Sequence, residues 1–358
     1  MDREALRMVC SPEFWRMGVL WTLSLLHSYL LLFLRGRTAT SRRRRDVGVR
    51  SICVVTGATS GLGRAAASAL AREGYHVVLA GRSAQLLSET AQEIRRQQPD
   101  SCLEAFQVDL SSYKSIKKFG TSLNQWIRDS NLEPSIQLLI NNAGMLAKSH
   151  RVTEDGIDEM IQTNYIGPFI LTSILLPLLK NSPVPPRVVN LTSFTHRCVS
   201  EIDVSEEALR GLKFGQRSVG GSYPLASTYE YTKFCLLMFS YELHRQLHLS
   251  SGISVMAADP GVVQTGIMRE LPHCLSRFAF FVLRVMNLLQ QTDTGFDAVL
   301  DAALAPPEAS GKYFFGGRGG TLRSSALSYD VQVAKKLWAE SSALLHELQL
   351  RDQELRTS

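Results

Sequence analysis

A short apolar run from Ile52 to Thr56 passes directly into Thr56-Gly57-Ala58-Thr59-Ser60-Gly61-Leu62-Gly63 and then into a stretch of helical periodicity that begins at Arg64. A strand that turns straight into a helix leaves the first backbone N–H groups of that helix without intrahelical partners. Glycines at such a turn let the chain bend sharply and come close to a bound group, while the amide-lined helix start favours a phosphate anion. Gly57, Thr59, Ser60, Gly61, Leu62 and Gly63 are therefore candidates for cradling a pyrophosphate. By itself the turn would equally serve as a tight connection with no ligand. Its context decides between the two readings.

That context is an alternation of apolar β-type runs with helical stretches. The runs are Ile52 to Thr56, His76 to Ala80, Leu103 to Val108, Gln137 to Ile140, Arg187 to Leu191, Ile253 to Ala257 and Lys312 to Phe315. Helical periodicity lies between them over Arg64 to Glu73, Gln85 to Gln97, Ser115 to Trp126, Gly156 to Leu179 and Ser227 to Leu247. Runs with few charges that alternate with helices predict an α/β fold: a Rossmann-type, doubly wound parallel sheet of about seven strands with helices on both faces. The spacing predicts one domain over residues 51–320 and a C-terminal helix within 321–358. Residues 197–225 are polar and rich in glycine, a long loop of the kind that borders functional sites.

The charge balance excludes one class of function. The chain has 39 basic and 33 acidic residues, but ten arginines and four acidic residues fall in the first 50, which leaves 29 of each sign beyond them. A domain with no net charge has no electrostatic footprint for nucleic acid. The six cysteines are scattered without a C-x-x-C pair, and His244 and His248 have no third ligand nearby, so no metal site is expected.

Residues 17–34 carry no formal charge and as a helix would span about 27 Å. The segment predicts an uncleaved membrane anchor, since the start is charge-balanced and the run ends in Arg35-Gly36-Arg37. Arg42 to Arg45 follow and favour keeping the rest of the chain on the cytosolic side. An amphipathic or buried helix, and an Arg-rich organellar targeting peptide, are the competing readings.

Two further residue patterns bear on chemistry. Tyr229 and Lys233 lie four apart, one turn of a helix, and a fixed ammonium beside a phenol favours the phenolate and brings the group toward neutral pH as an acid or base. Such a pair also arises by chance on many helices. The second strand ends in Ala80-Gly81-Arg82, where an NAD-specific site would place a carboxylate for the ribose 2′-hydroxyl. Arg82 suits a 2′-phosphate instead, which favours NADP over NAD, although a solvated loop arginine would look the same.

The motifs TGATSGLG, Asn141-Asn142-Ala143-Gly144, Tyr229-x-x-x-Lys233 and Pro260-Gly261, in that order over roughly residues 50 to 320, resemble the short-chain dehydrogenase/reductase family, and within it the membrane-anchored retinol-dehydrogenase-like group. The resemblance implies an NADP(H)-dependent oxidoreductase that moves a hydride between nicotinamide and a lipophilic alcohol or carbonyl. It implies catalytic roles for Asn164, Ser193, Tyr229 and Lys233, with Thr192 the neighbour of Ser193 that competes for its role. It also implies cofactor contacts from Asp109 and Leu110, from Asn141 to Gly144, from Tyr229 and Lys233, and from Pro260, Gly261, Val262 and Thr265. Residues 266–290 would form a lid whose apolar run Phe278-Ala279-Phe280-Phe281-Val282-Leu283 meets lipid or lipophilic substrate. The group further implies an endoplasmic reticulum membrane and allows a homodimer. A dinucleotide-binding regulatory or scaffold protein without turnover is the rival class; it would not need all four catalytic residues.

Overall fold

The computed structural model describes residues 8–35, 51–216, 223–290 and 292–357. Its centre is an eight-stranded sheet. In chain order the strands are β1 (Ile52–Thr56), β2 (His76–Gly81), β3 (Leu103–Gln107), β4 (Leu138–Asn141), β5 (Arg187–Leu191), β6 (Ser254–Asp259), β9 (Tyr313–Phe315) and β10 (Thr321–Leu322). β7 (Val262–Val263) and β8 (Leu289–Gln290) form a separate two-stranded pair. The spatial order β10-β9-β6-β5-β4-β1-β2-β3 puts β1 between β2 and β4, all parallel. The chain winds one way through β2 and β3 and the other way through β4, β5 and β6, so a crevice opens at the carboxyl end of β1, where such folds bind ligands.

Helices cover both faces. α2 (Gly61–Arg72), α3 (Ala84–Gln97) and α8 (Thr292–Ala303) pack on one side around Leu70, Leu87, Ile94 and Val299. α4 (Tyr113–Asp129), α5 (Glu159–Lys180), α6 (Leu225–Ser251) and α9 (Val331–Thr357) pack on the other around Phe119, Phe169, Phe234 and Leu337. Every residue of β1 and β5 is buried, as expected for strands covered on both faces. The C-terminal helix α9 shares the core of that second face, where Ser341 and the buried Tyr165 hydroxyl lie 2.6 Å apart. The sheet has one strand more than the sequence predicts. β10 is two residues long and antiparallel to β9, too short to show any periodicity.

The N-terminal helix α1 (Pro12–Arg35) is long and apolar enough to cross a bilayer. It lies along the domain, with Met17, Leu25 and Ser28 buried, while Val19, Leu23, Leu30 and Phe33 remain exposed on its outer side. The lid segment holds α7 (His273–Val285), which presents Phe278, Phe281 and Val285 outward. The arginines at 42 to 45 lie outside the described residues.

Candidate active site

The glycine turn sits where the crevice opens. Gly57 has a φ of +65°, a conformation that costs glycine little. A Cβ on Gly63 would come within 2.2 Å of the Gly57 carbonyl oxygen, so the first turn of α2 can press against the loop only with glycine there. Asn142 fastens this loop from the neighbouring strand: its Nδ2 donates to the Thr56 carbonyl at 2.8 Å and its backbone N donates to Thr56 Oγ1 at 3.0 Å. A cleft of about 260 Å³ results, lined by Gly57, Thr59, Ser60, Gly61, Leu62, Arg82, Asp109, Leu110, Asn142, Ala143, Gly144 and Thr265. The polar turn, the tight glycine packing and Arg82 at the rim fit the pyrophosphate and ribose-phosphate parts of a dinucleotide.

Below this cleft, α6 carries Tyr229 and Lys233, with the Lys233 nitrogen 5.7 Å from the centre of the Tyr229 ring. Lys233 Nζ donates to the Leu191 carbonyl at 2.8 Å, which pins the ammonium to the end of β5. Ser193 follows β5 directly, and its Oγ accepts from Thr195 N at 3.3 Å. Tyr229, Ser193, Thr192, Pro260, Gly261 and Val262 surround a second cavity of about 110 Å³, and Leu62, Thr265 and Ile267 line both hollows. Asn164 sits in a π-helical turn, Gln162–Ile166, inside α5. Its amide group bonds Met145 in both directions, accepting from N at 2.8 Å and donating to O at 2.9 Å, and it donates to Thr232 Oγ1 at 3.2 Å.

The family described as short chain dehydrogenase matches residues 51–200. Over 299 residues the chain is 32% identical to human Retinol dehydrogenase 13, with 82% of this chain and 83% of the relative covered. The chain belongs to the short-chain dehydrogenase family. Human Polyprenol dehydrogenase is 30% identical, covering 81% of this chain and 83% of the relative. The Arabidopsis thaliana Dehydrogenase/reductase SDR family member FEY is 34% identical over 230 residues, 62% of this chain and 57% of the relative. The solved NADPH-bound carbonyl reductase from chicken fatty liver shares the fold at a TM-score of 0.56 and 21% identity, covering 80% of this chain and 97% of that chain.

In this short-chain dehydrogenase, an oxidoreductase of the nicotinamide-dinucleotide type, the electrostatics around Tyr229 differ from the sequence expectation. Burial holds the phenol above its ordinary value, the Asp259 carboxylate adds to the effect, and the Ser193 hydroxyl offsets part of it. Lys233 is pulled down to about 8 by burial, against an opposing pull from Asp259. The expected lowering of the tyrosine by its lysine is not what sets the phenol here; burial and the Asp259 carboxylate dominate. That acid, Asp259 at the end of β6, is itself pushed up to about 6 by burial, although Tyr313 Oη and Gly261 N both donate to it.

Nothing in the sequence reading singled out Asp259; its only signal is a carboxylate immediately before Pro260-Gly261. Because a nearby negative charge disfavours phenolate, Asp259→Asn should make Tyr229 easier to deprotonate. The rise of kcat with pH in the alcohol-oxidising direction should then move to lower pH. A profile that stays in place or moves to higher pH would show that Asp259 does not act on Tyr229.

Three of the expected placements lie away from the two hollows. Asn141, grouped with the cofactor contacts, turns into the interior instead: its Nδ2 donates to Asn190 Oδ1 at 2.8 Å and Thr172 Oγ1 at 3.0 Å, tying β4 to β5 and α5. Gly63 lies beneath the turn and acts through packing, without lining the cleft. The described part of the 197–225 loop borders a separate hollow with Arg16, Asp203 and Glu230, and none of its residues lines the cavity at Tyr229. Residues 217–222 of that loop lie outside the described residues.

Proposed function

We propose that this protein is an NADP(H)-dependent oxidoreductase that interconverts a lipophilic alcohol and its carbonyl, of retinoid, steroid or polyprenoid type, at a membrane. The observation that carries the reading is the shared wall of the two hollows, where Leu62, Thr265 and Ile267 separate the cleft at the glycine turn from the small cavity holding Tyr229 and Ser193. A bound nicotinamide cofactor supplies the hydride. Ser193 and Tyr229 orient the substrate oxygen, and Tyr229, kept protonated by its surroundings, gives that oxygen its proton during reduction. Lys233, whose ammonium lies beside Gly144, would hold the cofactor ribose, and Asn164 keeps the neighbouring Met145 backbone in place.

Arg82 supports the preference for NADP: its guanidinium is half exposed at the rim of the cleft, and Glu159 approaches it only to 3.9 Å. The exposed apolar sides of α1 and α7 support attachment to a membrane and a lipophilic substrate. The endoplasmic reticulum, with the catalytic domain of residues 51–320 on the cytosolic side, is the compartment proposed.

The test is turnover by the purified full-length protein with NADPH and NADH, across retinal, a polyprenal, a steroid ketone and a short aliphatic aldehyde. NADPH with a long isoprenoid aldehyde should give the highest kcat/KM, and a clear preference for the short aldehyde would overturn the lipophilic reading. Arg82→Asp should move the cofactor preference toward NADH, because a carboxylate repels a 2′-phosphate and accepts from a 2′-hydroxyl. An unchanged NADPH/NADH ratio would remove Arg82 from the specificity determinants.

A further inference from the structure

The N-terminal helix reaches the reacting centre. Trp21 lines the cavity at Tyr229, and the two rings stand 5.6 Å apart at 43°. Glu230, the residue after Tyr229, is 3% exposed and accepts from Trp21 Nε1 at 2.6 Å and from Arg16 Nη1 at 3.2 Å. One helical position farther faces another direction by about 100°, so α6 offers Tyr229 to the cavity and Glu230 to the helix that covers it. Glu13 accepts from the Ser227 hydroxyl at 3.1 Å, and farther along α1 the Ser28 hydroxyl accepts from Arg197 at 3.0 Å. A helix serving only as an anchor needs no arginine paired with the buried carboxylate beside the acid.

We infer that Trp21 is a specificity-determining residue and that α1, besides meeting lipid, is a wall of the active site. With Trp21 in place the cavity measures about 110 Å³, well below the roughly 300–1,000 Å³ of pockets that enclose a whole drug-sized ligand. Only the end of a slender substrate reaches Tyr229 and Ser193, and the indole, with Phe280 of α7 on the same cavity, sets the width available to it. The inference rests on the proposed carbonyl reduction and deepens it.

The test compares wild type with Trp21→Ala and Trp21→Phe, using a conjugated polyenal as the slender substrate and a cyclic steroid ketone as the wide one. Trp21→Ala should raise kcat/KM for the ketone relative to the polyenal by about tenfold or more, the scale on which an apolar wall discriminates. Trp21→Phe keeps a ring against Tyr229 and loses the bond to Glu230, and should leave the ratio near that of wild type. NADPH affinity should be alike in all three, which separates a wall from a general loss of structure.

A second readout needs no turnover. The emission difference between wild type and Trp21→Phe isolates Trp21, and the polyenal should quench it on binding. Quenching without turnover would leave the wall standing and sink the proposed activity. Turnover with no quenching, with an unchanged substrate ratio in Trp21→Ala, or with equal loss in the Phe and Ala variants, would overturn the wall and leave the activity intact.

Discussion

Tyr229→Phe should lower kcat for carbonyl reduction by about 10³-fold, within the range for losing a positioned general acid, while NADPH affinity stays close to that of wild type. The change removes one oxygen from a ring that is 7% exposed and packed against Trp21. Neither the ring's packing nor the anchoring of Lys233 to the Leu191 carbonyl depends on that hydroxyl. The Gly57 turn, Arg82 and Asp109 line the cleft some way from the tyrosine and stay intact. Stopped-flow NADPH oxidation and a fluorescence titration on the same preparation separate the two quantities. Activity within a few-fold of wild type would mean that the proton comes from another polar group near the phenol, such as Ser193 on the same cavity or Lys233 beside the ring. Loss of NADPH affinity together with activity would mean that Tyr229 holds the nucleotide.

The parts of this site legible in the sequence are those set by local chain geometry. A glycine turn between a strand and a helix, a Tyr and a Lys one turn apart, and an arginine at the end of β2 are each short-range patterns, and the structure puts Gly57 and Arg82 on the larger cleft and Tyr229 on the adjoining cavity, with Lys233 beside the Tyr229 ring. The seven longer strands were legible for the same reason: each is a buried run bounded by turn residues. What was hidden depends on partners distant in sequence. Asp259 reads as an ordinary strand-end acid until burial and the Tyr313 hydroxyl give it a role. Asn141 and Asn142 are identical neighbours, yet opposite sides of β4 send one into the core and the other to the glycine loop.

The π turn that carries Asn164 has no periodic signature of its own. The apolar N-terminal segment was legible as a helix long and oily enough for a bilayer, but the contacts of its other side were not, because composition reports how oily a helix is and not what one of its sides will meet. Arg16, Trp21 and Ser28 fall on the side that finds Glu230 and Arg197. Phe280 and Phe281 make the same point in the lid, the first lining the cavity and the second facing outward.

Gly63→Ala should weaken NADPH binding strongly for a change of one methyl group. The added carbon would stand 2.2 Å from the Gly57 carbonyl oxygen, 2.8 Å from its carbon and 2.5 Å from Asn142 Nδ2. Two of the three obstacles are backbone, so relief requires α2 to move away from the loop or the Gly57 peptide to rotate. The Gly57 peptide is already held by a φ of +65° and by Asn142 bridging to Thr56, which leaves movement of α2 as the available response. Overpacking of this kind costs roughly 1–3 kcal/mol, equivalent to roughly 5- to 150-fold in Kd if the strain is relieved when nucleotide is absent. Gly266→Ala is the matched control, because Gly266 also lines the cleft but a Cβ there meets nothing within 4 Å. Calorimetric titration with NADPH should separate the two variants, and a ligand-free melting temperature close to that of Gly266→Ala would show that the strain is relieved in the free protein. If Gly63→Ala binds NADPH as tightly as Gly266→Ala, the close approach of α2 to the loop does not shape the nucleotide site.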